Sequence, residues 1–243
     1  MGVLSAIRSE LLKVKHTSFW KIHAAMPSIG ALLFALYFLL YDSVDGGRKL
    51  KLILELTVMV FPLLIGVIVG LNVLQEERAS HFQTLLVVPN RGRMFLAKLI
   101  VLYGAGAAAL GCLYALFLLA LGLTGQLGAI NISLLIQAVI GMAFGNLIIY
   151  VLHLFLSLKF GLGVSLFWGV FESLQIIMYS NIELKGAARY IPFAWSVNWV
   201  HDILNHTFWQ NGIEWLLTFI LTACALLAAI KWFSYWEGRK NYE

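Results

Sequence analysis

Six long apolar runs constrain this chain more than any other feature: about 22–41, 52–74, 99–123, 133–156, 161–180 and 213–236. A helix needs about 20 residues, at about 1.5 Å each, to cross a hydrocarbon core of roughly 30 Å. No water reaches the backbone there, so each run reads as a transmembrane helix that satisfies its own peptide groups. Together the runs take up more than half of the 243 residues, and only 12% of the chain is charged, against about 25% in soluble domains. The fold class is therefore an all-α polytopic membrane protein, a single transmembrane domain over 1–243. Disorder, collagen-like repeats and a secreted disulfide scaffold are excluded. The boundary between spans 4 and 5 is the faintest: Leu158–Phe160 is the only interruption, and Lys159 with Gly161 and Gly163 marks a short turn.

The cations set the orientation, because Lys and Arg collect on the cytoplasmic side of membrane proteins. Twelve of the 17 fall on one side: Arg8, Lys13, Lys15, Lys21, Arg78, Arg91, Arg93, Lys98, Lys159, Lys231, Arg239 and Lys240. Five fall on the other: Arg48, Lys49, Lys51, Lys185 and Arg189. Both termini are expected in the cytoplasm, and the net charge of +5 reads as topology, with no nucleic-acid partner expected. The chain opens on a polar helix-like stretch with no small-residue cleavage site after the first apolar run, so no signal peptide is expected. Cys112 and Cys224 lie in apolar runs and are expected to pack as small hydrophobes.

Residues 1–20 are too polar to span. Val3, Leu4, Ile7, Leu11, Leu12 and Val14 recur at roughly helical spacing among Arg8, Glu10, Lys13 and Lys15. This reads as an interfacial amphipathic helix with its cations toward anionic headgroups; the bland alternative is a solubilising tail. Within the spans, small residues recur four apart: Gly66 and Gly70; Ala107, Gly111 and Ala115; Gly141 and Gly145; Ser165, Gly169 and Ser173. Such faces let helices approach closely in lipid. Pro62 should kink span 2.

The 2–3 connection, 75–97, is the most informative stretch. Gln75-Glu-Glu-Arg-Ala-Ser-His-Phe-Gln-Thr-Leu-Leu86 is polar at its start, carries Phe82, Leu85 and Leu86 at helical spacing, and leads into Pro89-Asn-Arg-Gly-Arg93. A short amphipathic helix parallel to the membrane, suited to docking a cytosolic subunit, competes with a simple solvated connector. Glu76-Glu77 resembles the paired glutamates of CPBP-type intramembrane proteases, but His81 stands where that motif needs Arg, and the later histidine and Asn/Asp motifs are missing. Glu77 and His81 share a helix face as metal ligands could, without a further ligand in view. No Walker-type glycine loop and no serine elbow occur, so the chain is not expected to be an enzyme.

Glu172 is the one ionisable residue deep in a span. Eleven residues beyond Gly161, at about 1.5 Å each, place it roughly 16 Å in. Such a group faces the bundle interior or is neutralised, either lining a cargo path or fixing a helix interface. His153 is expected to be a poor partner, only about three residues from the end of span 4. Glu55 and Glu214 open their spans on the outer side, and Lys231 can snorkel inward. The outer segment 181–212 gathers Tyr190, Phe193, Trp195, Trp199, Phe208 and Trp209 around Ile191-Pro192, either as an interfacial belt or as a contact surface for amphiphilic cargo. His201 and His206 make at best a weak metal pair, and no metal site is expected.

Taken together, the chain resembles ABC-2-type (type V exporter) permeases, and within them the permease subunits of lantibiotic (bacteriocin) immunity transporters of the MutG/EpiG type. The resemblance is carried by Phe61-Pro-Leu-Leu-Ile-Gly66; by Gln75-Glu-Glu, His81-Phe-Gln83 and Lys98-Leu99; by His153-Leu-Phe-Leu-Ser157 with Phe160-Gly161; and by Ile191-Pro-Phe-Ala-Trp-Ser196. It implies a bacterial plasma-membrane subunit that pairs with a MutE-like permease, or a second copy of itself, and with two copies of a cytosolic ATPase. That partner would hold ATP and Mg; this chain would carry no cofactor. The cargo would be a lantibiotic peptide removed from the membrane lipid, giving self-immunity or resistance; another cargo such as a lipid, ion or drug is the alternative. By position, Glu76, Glu77, His81 and Phe82, with Arg91 and Arg93 beside them, would engage the ATPase, and Glu172, Trp195 and Trp199 would line the cargo path or a helix interface.

Overall fold

The computed structural model describes residues 2–41, 45–181, 190–207 and 212–239. Helix α1 (Val3–Val14) precedes α2 (Phe19–Leu40) and α3 (Gly46–Ser80). The one-turn α4 (Gln83–Leu86) leads into α5 (Arg91–Leu123), then α6 (Ile132–Gly145), α7 (Leu147–Phe160) and α8 (Leu162–Asn181). A 3-10 turn (Pro192–Ala194), α9 (Trp195–Leu204) and α10 (Gly212–Ser234) follow, and no strand occurs among the described residues. Six helical stretches are long and apolar enough to cross a membrane, with α6 and α7 together forming the fourth.

Side-chain caps explain several starts. Asp45 accepts from the Gly47 N–H, Asn90 from Arg93 and Asn131 from Leu134, each supplying an acceptor to a first-turn N–H that the helix cannot satisfy itself. At 35 residues, α3 is about 50 Å long and must project beyond a core of roughly 30 Å. The polar stretch from Gln75 is therefore not loop, as the polarity suggests, but the last two turns of α3. Helix α3 ends at His81, whose N–H still bonds the Glu77 carbonyl while its φ turns to 46°. Pro62 stays within α3, which runs on through it.

The fourth span, expected over about 133–156, runs over Ile132–Phe160, with a local irregularity between α6 and α7 at Asn146, whose side-chain amide donates to the Met142 carbonyl at 2.8 Å. Helix α6 packs on α9, where a Cβ on Gly145 would meet the Ser196 backbone at 2.8 Å. One expectation needs correction: Cys112 and Cys224 both lie exposed on the outside of the bundle.

Helices α3 and α8 make the most extensive crossing, with α7 packed beside both. The small-residue rows of the sequence explain its closeness. A Cβ on Gly66 would sit 2.9 Å from the Ser165 carbonyl and from His153 Cε1, and one on Gly169 would sit 3.1 Å from the Pro62 carbonyl. The row Ala107–Gly111–Ala115 does not serve this purpose, since nothing lies within 4 Å of a Cβ on Gly111. Gly66→Leu is accordingly expected to destabilise the chain by about 1–3 kcal/mol through overpacking, whereas Gly111→Leu leaves it unchanged. Unfolding midpoints in detergent micelles check both.

Candidate functional site

At the end of the bundle where α3 meets α5, four charged side chains from three helices close on one another. The Lys98 ammonium donates to Asn72 Oδ1 at 3.0 Å and Glu76 Oε1 at 2.8 Å, and pairs with Glu10 Oε2 at 2.7 Å. Its three N–H donors thus have three acceptors. Lys13 adds bonds of 2.6 Å to Glu10 Oε1 and 2.9 Å to Glu76 Oε1. Two carboxylates against two ammoniums leave no net charge, and this balance is what permits Glu10, Glu76 and Lys98 to be buried. The inward face of α1 is Ala6, Glu10 and Val14, while Leu4, Leu11 and Leu12 are exposed. Lys13 therefore turns to protein carboxylates rather than to headgroups.

The hairpin between α3 and α5 is tied to the same cluster. His81 and Phe82 adopt consecutive left-handed conformations, φ 46° and 64°, uncommon for non-glycine residues. The turn brings Thr84 back so that its hydroxyl donates to Glu76 Oε2 at 3.2 Å, and it buries the Phe82 ring edge-on to Trp236, centroids 5.1 Å apart. A C-terminal strap completes the end. Arg239 donates twice to the Glu77 carboxylate at 2.8 Å and once to the Ser157 carbonyl at 2.8 Å, and lies 5.4 Å from the centre of the Phe82 ring. It fits beside Gly161, where a Cβ would be 3.0 Å from Nη1. Arg91 donates to the Trp236 carbonyl at 2.6 Å.

Of the residues expected to engage a partner, then, Glu76 and Phe82 are buried, Glu77 and Arg91 are bonded within the chain, and His81 and Arg93 are exposed. Glu76 and Glu77 face different cations and form no carboxylate dyad of protease type. Nor do Glu77 and His81 make a metal pair, since both Glu77 oxygens accept from Arg239. Sequence reasoning missed Glu10 and Lys98 as a pair and took Arg239 only as a topological cation. The available signal was Glu10 four residues from both Ala6 and Val14, on one helix face with two apolar residues.

A second polar constellation lies deep between α3, α7 and α8. His153 Nε2 is 3.0 Å from Glu172 Oε2, and both residues are fully buried. This overturns the view of His153 as a poor partner. Helix α7 runs on to Phe160, so His153 is eight residues, about 12 Å, from Gly161, while Glu172 is eleven residues, about 16 Å, away on the antiparallel α8. Two side chains span that difference. Ser165 donates its hydroxyl proton to the Gly66 carbonyl at 3.0 Å and lies 2.9 Å from His153 Nδ1. Because the carbonyl can only accept, Nδ1–H must donate to Ser165 Oγ. The bond between Nε2 and Oε2 then needs one hydrogen, carried by either atom.

Trp195 and Trp199 are buried inside the α6–α9 contact, with Trp199 stacked on Trp215 at 4.1 Å. They do not line an open path in this conformation. At this far end of the bundle, His201 of α9 lies 3.2 Å from Glu55 Oε1 of α3. Lys185, Arg189, Phe208, Trp209 and Lys240 lie outside the described residues.

The family model for ABC-2 family transporter proteins matches residues 6–172, well over half of the chain. The chain belongs to this family. The match takes in both polar constellations apart from the strap, beginning within α1 and ending at Glu172. No curated protein and no solved structure matches the chain. As an ABC-2 permease it is the multi-pass membrane subunit of an ABC transporter and is not itself catalytic, and the family implies an ATP-binding partner.

Proposed function

We propose that this permease works in an exporter that removes lantibiotic-type peptides from a bacterial plasma membrane, and that the end carrying α1, α4 and the strap is cytoplasmic and receives the ATPase. The observation that carries the docking part is the cross-bracing of that end. Thr84 of α4 bonds Glu76 of α3, Glu76 bonds Lys98 of α5 and Lys13 of α1, and Arg239 bonds Glu77 of α3 and the end of α7. A displacement imposed on α4 is thereby delivered to α1, α3, α5 and α7 together instead of being lost in a loop. Export needs two states that differ in cargo affinity, and ATP binding in the partner must favour one of them.

The surface offered to the partner is the exposed rim of the hairpin: Arg78, His81, Gln83, Val87 and Pro89. Val87, 77% exposed, is the apolar residue there that a docked subunit would cover. Val87→Asp is expected to leave size-exclusion behaviour and helicity unchanged while lowering the amount of co-purifying ATPase about 10-fold, the loss of one covered aliphatic side chain. Undiminished ATPase recovery would place the dock elsewhere. The peptide cargo is supported by the MutG/EpiG-like stretches, including Ile191-Pro-Phe-Ala-Trp-Ser196, and by the aromatic α9 beside them. Deleting the chain from its host is expected to abolish tolerance to the cognate peptide; retained tolerance together with a defect in lipid or ion export would reassign the cargo. The pairing permease is proposed to be MutE-like, which co-purification from native membranes distinguishes from a second copy.

A further inference from the structure

Helix α2 packs chiefly on α5 and only lightly on α3, its neighbour in sequence, which leaves a cleft between α2 and α3. Two adjoining cavities fill this cleft and share Ile22, His23 and Ile68. The deeper one, about 310 Å³, is walled by apolar side chains such as Met26, Leu33, Val60 and Leu110. The other, about 360 Å³, is bordered by Ser18, Asn72 and Gln75. Each is within the range of small-molecule sites. Met26, Leu33 and Val60 are also exposed on the outside of the bundle, so the apolar cavity opens toward hydrocarbon.

His23 marks the step from polar to apolar. It is 93% buried, since only 7% of its surface remains exposed. Its Nδ1 lies 2.8 Å from the Phe19 carbonyl, which can only accept, so Nδ1 carries the proton. Nε2 then presents a lone pair, and it has no partner among the described residues. A second acceptor adjoins it: Pro27, four residues on, has no N–H to give to the His23 carbonyl. An apolar slot, a polar mouth and unfilled acceptors at their junction describe the complement of an amphiphile whose neck donates hydrogen bonds.

We propose that this cleft binds a membrane glycerolipid with free headgroup hydroxyls. Its acyl chain occupies the apolar cavity, a hydroxyl at the neck donates to His23 Nε2, and the rest of the headgroup sits among Ser18, Asn72 and Gln75. The site is separate from Glu172 and does not depend on the peptide-export reading.

The test uses the full chain, delipidated in detergent and titrated with 1-oleoylglycerol or with its di-O-methyl ether, which keeps the acyl chain and zero charge but carries two methyl groups in place of the donor hydrogens. Bound stoichiometry is read by native mass spectrometry. The glycerol compound is expected to bind about 10-fold more tightly, the contribution of one to two hydrogen bonds. His23→Phe should bring the two compounds to equal affinity, and His23→Gln, which keeps an acceptor, should retain a preference. Val60→Trp, which fills the apolar slot from α3, should weaken both at least 10-fold. Equal binding by the wild type, or a preference that survives His23→Phe, would overturn the proposal. So would a lipid-free dimer that Val60→Trp dissociates, because the cleft would then belong to a second copy of the chain. If His23→Phe fails to fold, His23→Ala decides in the same way, since it also removes the Nε2 acceptor and should bring the two compounds to equal affinity.

Discussion

Lys98→Met is expected to cost about 3–5 kcal/mol of stability, the range for removing one partner of a buried ion pair. Methionine fills most of the lysine volume, so the loss is electrostatic. Glu10 and Glu76 would be left as two buried carboxylates against the single ammonium of Lys13, and Asn72 Oδ1 would lose its donor. Lys13→Met should cost far less, about 1 kcal/mol, because that ammonium is 28% exposed and water can replace part of what it gives. The pair Lys51–Glu55, 3.7 Å apart with Lys51 61% exposed, should be worth little. Burial of each charge, together with the balance of charge, sets the cost, not the number of bonds. Lys98→Met combined with Glu76→Gln should therefore recover part of the loss, although it removes a further ion. Thermal or denaturant unfolding in micelles reads all three variants. Equal losses for Lys98→Met and Lys13→Met would mean that burial does not govern the cluster.

The same variants bear on coupling. Because Glu10 and Lys13 are the charged residues that tie α1 to α3 and α5, loosening the cluster is expected to detach α1 before it unfolds the bundle. Partial variants that stay folded should retain the ATPase but lose the link between its turnover and cargo movement.

The spans were legible because apolar run length is a one-dimensional property and the membrane reads it directly. What lay hidden depends on which residues meet across helices. Lys98 and Glu76 are 22 residues apart and Arg239 and Glu77 are 162 apart, so no local period announces either pair. The extent of the 2–3 connection was misjudged because polarity was taken as the end of a helix. A helix that projects beyond the membrane turns polar without ending, and α3 does so from Gln75 to Ser80. The irregularity at Asn146 was hidden for a related reason: one amide that can bond its own preceding turn is invisible to a hydropathy average. Of the residues the sequence offers for docking, Glu76 and Phe82 are buried and Glu77 is bonded to Arg239, so the exposed rim of the hairpin consists of the residues between and after them.

His153→Leu is expected to be the second most damaging change. It leaves the buried Glu172 Oε2 without its partner, costing roughly 1–3 kcal/mol, while Ser165 loses the bond from Nδ1 but keeps its own to the Gly66 carbonyl. Glu172→Gln should be mild by comparison, below about 1 kcal/mol, because the shared-proton arrangement already needs one hydrogen between the two side chains and the glutamine amide supplies it to Nε2. The informative variant is the double one. Replacing both members of a buried polar pair by apolar residues of similar size is often neutral or stabilising, so His153→Leu with Glu172→Leu should regain most of the stability lost by His153→Leu alone. Transport by that double variant is expected to stay near wild type, since the pair's bonds join only α7 and α8, with Ser165 carrying them on to α3, although Glu172 borders a cavity of about 510 Å³ with Trp168, Phe193 and Trp232. A stable double variant that no longer exports peptide would instead give the carboxylate a part in cargo passage, because stability and transport would then have been separated at a single pair of side chains.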